Sequence, residues 1–185
     1  MNTRLCAVND FLTRMVLDHG ILLACVGGAA RDTFLGREPK DYDFVFLDTA
    51  GKSLSDLADI IAEVTGTFPA SLREQEGSAA NGAARGLVDV LETHYSDGLR
   101  IQFQYLLYED HIMKSFGLDA AKAVVHHDCS LNHAWLAKVG TRLVPRVTDE
   151  FPNPATGNTN YFAAHVNYER KAYIRSKFPE FNHVI

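Results

Sequence analysis

Two short stretches of the chain hold residues able to handle phosphates and a divalent cation. The first is Cys25-Val26-Gly27-Gly28-Ala29-Ala30-Arg31-Asp32-Thr33-Phe34-Leu35-Gly36, and the second is Lys40-Asp41-Tyr42-Asp43-Phe44-Val45. An apolar run, Ile21 to Val26, ends at two glycines, and a segment able to start a helix follows. Glycine lets backbone amides approach a phosphate closely, and a helix start favours negative charge. Arg31 falls in the first turn, within reach of the same anion or of a carboxylate. On a strand, residues i and i+2 share a face, with Cα atoms roughly 7 Å apart. Asp41 and Asp43 so placed converge on a hard cation, and paired Mg²⁺ ions are the usual device for in-line attack on a phosphate. Either feature alone is ordinary, a tight turn or a solvated strand end. Their conjunction is not, because Tyr42, Phe44 and Phe46 give the second strand an aromatic face whose burial fixes the aspartates on the other side. Paired like charges there cost stability until a cation neutralises them.

The elements that must position these residues follow from periodicity. Leu5, Val8, Leu12, Met15 and Val16 recur at helical spacing over 4–19, and Gly20 stops the helix. The pattern then predicts a buried strand at 21–26, a helix at 29–35 and an alternating strand at 41–47. Ser53 to Val64 carries a capping-box pattern, Ser53 with Asp56, and an apolar face of Leu54, Leu57, Ile60, Ile61 and Val64. Residues 74–86 are Gly, Ala, Ser, Asn and charge, which predicts a loop. Leu87 to Tyr95 and Leu99 to Tyr108 read as strands joined by Ser96-Asp97-Gly98. Residues 109–124 and 129–138 are expected to be mostly helical, 145–160 to be a loop or linker, and about 161–178 to be a basic helix with Arg170, Lys171, Arg175 and Lys177. This order predicts an α+β domain over 1–145, with 146–185 as a linker and C-terminal helix packed on it.

Composition narrows the functional classes. The chain has 185 residues, 46% hydrophobic and 22% charged, enough to build one core without disulfides. The longest apolar run is far short of the roughly 20 residues a membrane span needs. Cys6, Cys25 and Cys129 have no metal-type spacing and read as reduced thiols of a cytoplasmic protein. A net charge of −5 argues against a large duplex-DNA face. It also means that phosphate handling would need metal ions.

The pattern Gly27-Gly28-x-Ala30-Arg31-Asp32-x-x-x-Gly36, then Lys40-Asp41-x-Asp43, resembles the head-domain signature of class II CCA-adding enzymes and bacterial poly(A) polymerases, within the DNA polymerase β-like nucleotidyltransferase superfamily. A second segment, His127-Asp128-Cys129-Ser130-Leu131-Asn132-His133-Ala134, is similar to the family's Arg-Asp-Phe-Thr-Ile-Asn-Ala motif. The resemblance implies a polymerase β-like fold, a mixed twisted sheet with packed helices and a short C-terminal helical region. It implies transfer of a nucleoside monophosphate from an NTP to an acceptor hydroxyl, with Mg²⁺ or Mn²⁺. Asp41 and Asp43 would be catalytic metal ligands. Gly27, Gly28, Arg31, Lys40, His127, Asp128 and Asn132 would line the nucleotide site. The acceptor would be an RNA 3′ end, tRNA-like in form, or a protein or a small molecule.

The departures are specific. His127 stands where the family has a permanently charged residue. The third carboxylate is not evident, since Arg100, Gln102 and Gln104 alternate on one face of the candidate strand, and Asp89 on the preceding strand is the candidate metal ligand. The acidic-arginine motif that selects the base in the family is missing from the sequence. Two rivals follow: a catalytically weak or inactive nucleotide-binding module, and a small-molecule nucleotidyltransferase of the antibiotic-modifying type. A metal phosphohydrolase built on His126-His127-Asp128 would need further ligands whose spacing has no mechanism behind it.

Overall fold

A computed structural model describes residues 3–71, 87–95, 101–153, 157–164 and 166–184. The elements, in chain order, are α1 (Thr3–His19), β1 (Leu22–Val26), α2 (Gly28–Phe34), β2 (Asp41–Asp48), α3 (Leu54–Thr65), β3 (Ala70–Ser71), β4 (Leu87–Tyr95), β5 (Ile101–Tyr108), α4 (Asp110–Phe116), α5 (Ala120–Val124), β6 (Ala134–Val139), β7 (Arg142–Val147), β8 (Thr159–Tyr161), α6 (Tyr168–Lys177) and β9 (Asn182–Val184). Seven strands form one mixed sheet in the order β3-β4-β5-β2-β1-β6-β7, and β8 pairs with β9 separately. Within the large sheet β2 runs parallel to β5 and antiparallel to β1. The architecture is α+β, as the order of elements predicts.

The aromatic face of β2 explains why the sheet holds its register. Tyr42 and Phe44 stand opposite Phe103 and Tyr105 of β5, and all four are fully buried. Phe11 of α1 enters this layer, with its ring centroid 5.1 Å from Phe44 and 5.3 Å from Phe103. Burying each such ring contributes on the order of 1.5–3 kcal/mol, and a slip of one residue would bring the aspartates into this layer. α3 closes the same face, started by the Ser53–Asp56 capping box and stopped by Gly66 in the left-handed conformation. The strands expected at 21–26, 41–47 and 87–95 lie in the large sheet, as does Ile101–Tyr108, the described part of the strand expected at 99–108. The loop expected at 74–86 and the Ser96-Asp97-Gly98 turn lie outside the described residues.

Three expectations need correction. Residues 129–138 are not helical: a single 3₁₀ turn at Ser130–Asn132 leads into β6, which pairs with both β1 and β7. The apolar residues of this stretch, Leu131, Ala134 and Leu136, are compatible with either period, and sheet pairing decides. Residues 145–160 are not all loop, since β7 runs through position 145 and β8 begins at Thr159. α6 is shorter than expected and starts at Tyr168, where the Asn167 side chain accepts from the Arg170 amide.

Candidate nucleotide-binding site

β1 delivers the chain to Gly27, whose φ of 66° and ψ of −128° suit glycine and strain any other residue. A Cβ built there would lie 3.1 Å from Cε1 of His127 and 3.7 Å from Oδ2 of Asp43. The Gly27 turn, the second aspartate of β2 and the histidine that follows α5 therefore meet at one point. Register explains the first two, because Val26 pairs with Asp43 across β1 and β2.

Asp41 and Asp43 share the sheet face opposite the aromatic layer. Asp41 is exposed and Asp43 is half-buried. Burial and the neighbouring Asp41 charge push the Asp43 carboxyl up to about 7, against a smaller opposing pull from Arg170 and Arg31. An acid held this way is short of positive charge, and its donor set is two hard carboxylate oxygens on one face. That set suits Mg²⁺, which is held through one or two carboxylates while substrate phosphates and waters fill the rest. Among the described residues, no three His, Cys, Asp or Glu side chains gather into a closed metal cage.

Asp89 is not positioned to join the pair. It lies on β4 opposite Leu107, and its carboxylate accepts from Ser71 Oγ at 2.9 and 3.0 Å and from the Val90 amide at 2.7 Å. Strand parity puts Asp89 with Leu91 and Thr93, on the aromatic side, and Thr93 bonds Tyr105 there at 2.9 Å. The acid on the aspartate face is Glu92. It pairs with Gln104, which in turn pairs with Asp43. Glu92 Oε2 accepts from Gln102 Nε2 at 2.6 Å and from Gln104 Nε2 at 2.9 Å. The signal that could have found it is the register itself: Gln102 and Gln104 need an acceptor, and only even-numbered β4 residues face them.

Of the two roles open to Arg31 in the sequence, reaching an anion or tying down a carboxylate, its contacts are of the second kind. Arg31 is 3% exposed. Its Nε donates to Asp32 Oδ1 at 2.7 Å, its Nη1 donates to Asn132 Oδ1 at 2.6 Å, and its guanidinium lies 4.3 Å from the Phe178 ring. Asn132 Nδ2 donates to Asp128 Oδ1 at 2.6 Å, and Arg170 Nε of α6 donates to Asp128 Oδ2 at 2.6 Å. Arg31, Asn132 and Asp128, all buried, and the partly exposed Arg170 thus form one hydrogen-bonded chain that joins the glycine-motif and histidine-motif segments to α6. Burial raises the Asp128 carboxyl, but the Arg170 charge and the hydrogen bonds from Arg170 and Asn132 more than reverse this and hold it below the usual carboxylate range. Sequence reasoning missed Arg170 and Phe178 as parts of this cluster.

His127 lies beside Asp43 but is not cationic. Burial lowers its imidazole to about 4, against the pull of Asp128, and its Nε2 is buried with no hydrogen-bond partner. A cleft of about 400 Å³ opens from His127 past Ser130, His133, Glu150, Tyr161 and Phe162. Lys40 is exposed immediately before β2.

No protein-family model matches the sequence, and no curated protein matches it. Solved structures do resemble it. A tRNA-processing enzyme in an apo form superposes with a TM-score of 0.63 at 13% identity, over 100% of this chain and 45% of that one. A CCA-adding enzyme in complex with ATP gives 0.62 at 10% identity, over 100% of this chain and 41% of that one. A tRNA nucleotidyltransferase complexed with a primer tRNA and an incoming ATP analogue gives 0.58 at 14% identity, over 94% and 46%. The chain spans less than half the length of these proteins. Its fold is the one they share, that of CCA-adding enzymes and tRNA nucleotidyltransferases.

Proposed function

We propose that the protein is a metal-dependent nucleotidyltransferase that moves a nucleoside monophosphate from an NTP to an acceptor hydroxyl. The observation that carries this reading is the Asp41–Asp43 pair on one sheet face, with Asp43 against the Gly27 turn and its carboxyl raised by burial and by the Asp41 charge. Asp41 and Asp43 would hold Mg²⁺, which when bound supplies charge stabilisation to the attacked phosphate and lowers the pKa of the acceptor hydroxyl. Gly27 and Gly28 let the triphosphate approach the backbone. Asp128 and Asn132 orient the sugar from the buried chain, and Lys40 adds positive charge at the open end of β2. The acceptor oxygen bonds to the α-phosphorus, the bond to the bridging oxygen breaks, pyrophosphate leaves, and the hydroxyl proton passes to solvent. The likeness in fold to tRNA-handling enzymes favours an RNA 3′ end as acceptor.

A second reading is a nucleotide-binding module without turnover. Two observations favour it: no three acid or imidazole side chains close on a metal among the described residues, and Glu92 is engaged by two glutamines. One experiment separates the two readings. The protein is incubated with each α-labelled NTP, Mg²⁺ and total RNA, beside Asp41→Ala and Asp43→Ala. Label transfer by the wild type alone supports the enzyme. NTP binding without transfer supports the module.

A further inference from the structure

β9 reaches the histidine motif through a relay of side chains whose donors and acceptors are all determined. The relay starts at the amide of Leu131, in the 3₁₀ turn that ends at Asn132. A backbone N–H can only donate, and this one donates to Asn160 Oδ1 at 2.9 Å. Ser130 Oγ accepts from the Tyr161 amide at 3.0 Å and donates its own proton to the same Asn160 oxygen at 3.2 Å. With its oxygen so placed, Asn160 presents its NH₂ group to His183 Nδ1, 3.1 Å away. Nδ1 therefore accepts. The proton of the neutral imidazole then sits on Nε2, which donates to the Phe178 carbonyl at 2.8 Å. Turning the Asn160 amide over would set N–H against N–H at Leu131.

Asn160 is fully buried, and Ser130, Leu131 and Asn132 are buried with it. The backbone repeats the attachment: the Ala163 amide donates to the Asp128 carbonyl at 2.9 Å, and Cys129 forms a bridge with Phe162. Asn160 of β8 pairs in register with His183 of β9, and the Phe162 ring stacks on the His183 ring with centroids 5.9 Å apart. His183 so stands between two arms of the site. One runs through Asn160 to the turn that carries Asn132, which bonds Arg31 and Asp128. The other runs through Phe178, whose ring lies 4.3 Å from the Arg31 guanidinium. Without an acceptor at position 183 the Asn160 NH₂ would be left unpaired in the interior, an arrangement that proteins avoid by moving the group. The group that would move here holds the turn.

We propose that His183 is a positioning residue of the nucleotide site: its Nε2–H tautomer fixes the Asn160 amide, and Asn160 holds the Ser130–Asn132 turn so that Asn132 stays aligned between Arg31 and Asp128. This rests on the nucleotide-site reading above, in which Asn132 orients the sugar. The relay needs one acceptor and one donor at position 183. Glutamine carries both on one side-chain amide, whereas phenylalanine keeps a ring for Phe162 to stack on and carries neither.

Three measurements on the full chain test this. In the wild type at pH 8, ¹⁵N–¹H spectra of the histidine side chains are expected to show His183 protonated on Nε2 alone, and a proton on Nδ1 overturns the proposal. Hydrogen exchange at the Leu131 amide is expected to quicken about tenfold or more in His183→Phe and to stay within about threefold of wild type in His183→Gln. Titration calorimetry with each NTP and Mg²⁺ is expected to show binding about tenfold weaker in His183→Phe, with His183→Gln restored to within about threefold of wild type. Val64→Ala, a buried position of α3 on the aromatic side of the sheet, controls for general loss of stability and is expected to bind NTP as the wild type does. The wild-type spectrum and the glutamine variant decide even where His183→Phe does not fold, since a loss of about tenfold in His183→Gln overturns the relay. Quicker Leu131 exchange with unchanged NTP affinity overturns the positioning role and leaves His183 as a brace for β9. Wild-type protein that binds no NTP overturns the nucleotide-site reading itself, a result that no outcome in the variants can mimic.

Discussion

A Cβ placed on Gly27 would stand 3.1 Å from Cε1 of His127, so the glycine turn of one motif and the histidine of the other are packed in direct contact. Gly27→Ala meets two obstacles, this contact and a φ of 66° with ψ of −128°. The expected loss is about 1–3 kcal/mol, measured by urea unfolding. Adding His127→Ala removes the steric part and leaves the dihedral part, so the double variant is expected to recover some of the loss and not all. Full recovery would show that the backbone at Gly27 carries no strain.

Arg31 and Arg170 are expected to behave differently under the same substitution. Arg31→Ala removes the buried guanidinium that donates to Asp32 and Asn132 and leaves Asp32 with the 4.0 Å contact from Lys177, and breaking a buried pair costs about 3–5 kcal/mol. Arg31→Ala is therefore expected to lower the melting temperature sharply. Arg170 is one-third exposed, and its removal is expected to cost less stability. Equal thermal shifts in the two variants would contradict the assignment of Arg31 to structure.

Much of this arrangement is legible in the sequence, and the parts that are not have physical causes. The Asp41/Asp43 face follows from alternation with Tyr42, Phe44 and Phe46, and the Gly27 turn follows from two glycines after an apolar run. What composition cannot give is register between distant strands. Gln102 and Gln104 read as neutral occupants of a metal face, yet pairing with β4 supplies them with Glu92 and sends Asp89 to the other side. The Arg31 environment is equally hidden, because Asn132 and Phe178 reach it from far along the chain. The stretch 129–138 misleads because its apolar spacing serves a helix or a strand, and the vacant edge of β1 chooses strand.

Glu92 gives the metal site a testable third charge. It stands on the aspartate face two strands from Asp43, held by two glutamine amides. Glu92→Gln keeps an oxygen acceptor and removes the charge. In the label-transfer assay, the Mg²⁺ concentration giving half-maximal rate is expected to rise several-fold, because a neutral amide neutralises Mg²⁺ less well than a carboxylate. An unchanged Mg²⁺ dependence would confine Glu92 to holding the glutamines.

The two perturbed groups at the site pull the pH dependence of stability in opposite directions. Asp43 is raised from 3.8 to about 7 by burial and by Asp41. Between these values the folded state holds a proton that the unfolded state has released, so stability falls as pH rises from about 4 to 7 and is flat above. His127 is lowered from 6.5 to about 4 by burial. There the unfolded state holds the extra proton, so stability falls as pH drops from about 6.5 to 4. In metal-free protein the two slopes largely cancel, and single variants uncover each. Asp43→Asn is expected to be more stable than wild type above pH 7, by about 1–3 kcal/mol after allowing for its partial exposure, and to leave the acid-side loss from His127 visible. His127→Gln is expected to show the reverse slope from Asp43. Mg²⁺ should raise wild-type stability at pH 8 and leave Asp43→Asn nearly unmoved. Because His127 is neutral throughout pH 6 to 8.5, the difference in NTP affinity between wild type and His127→Ala is expected to be the same across that range. A difference that grows toward pH 6 would show that bound triphosphate recharges the imidazole and draws it into the phosphate grip.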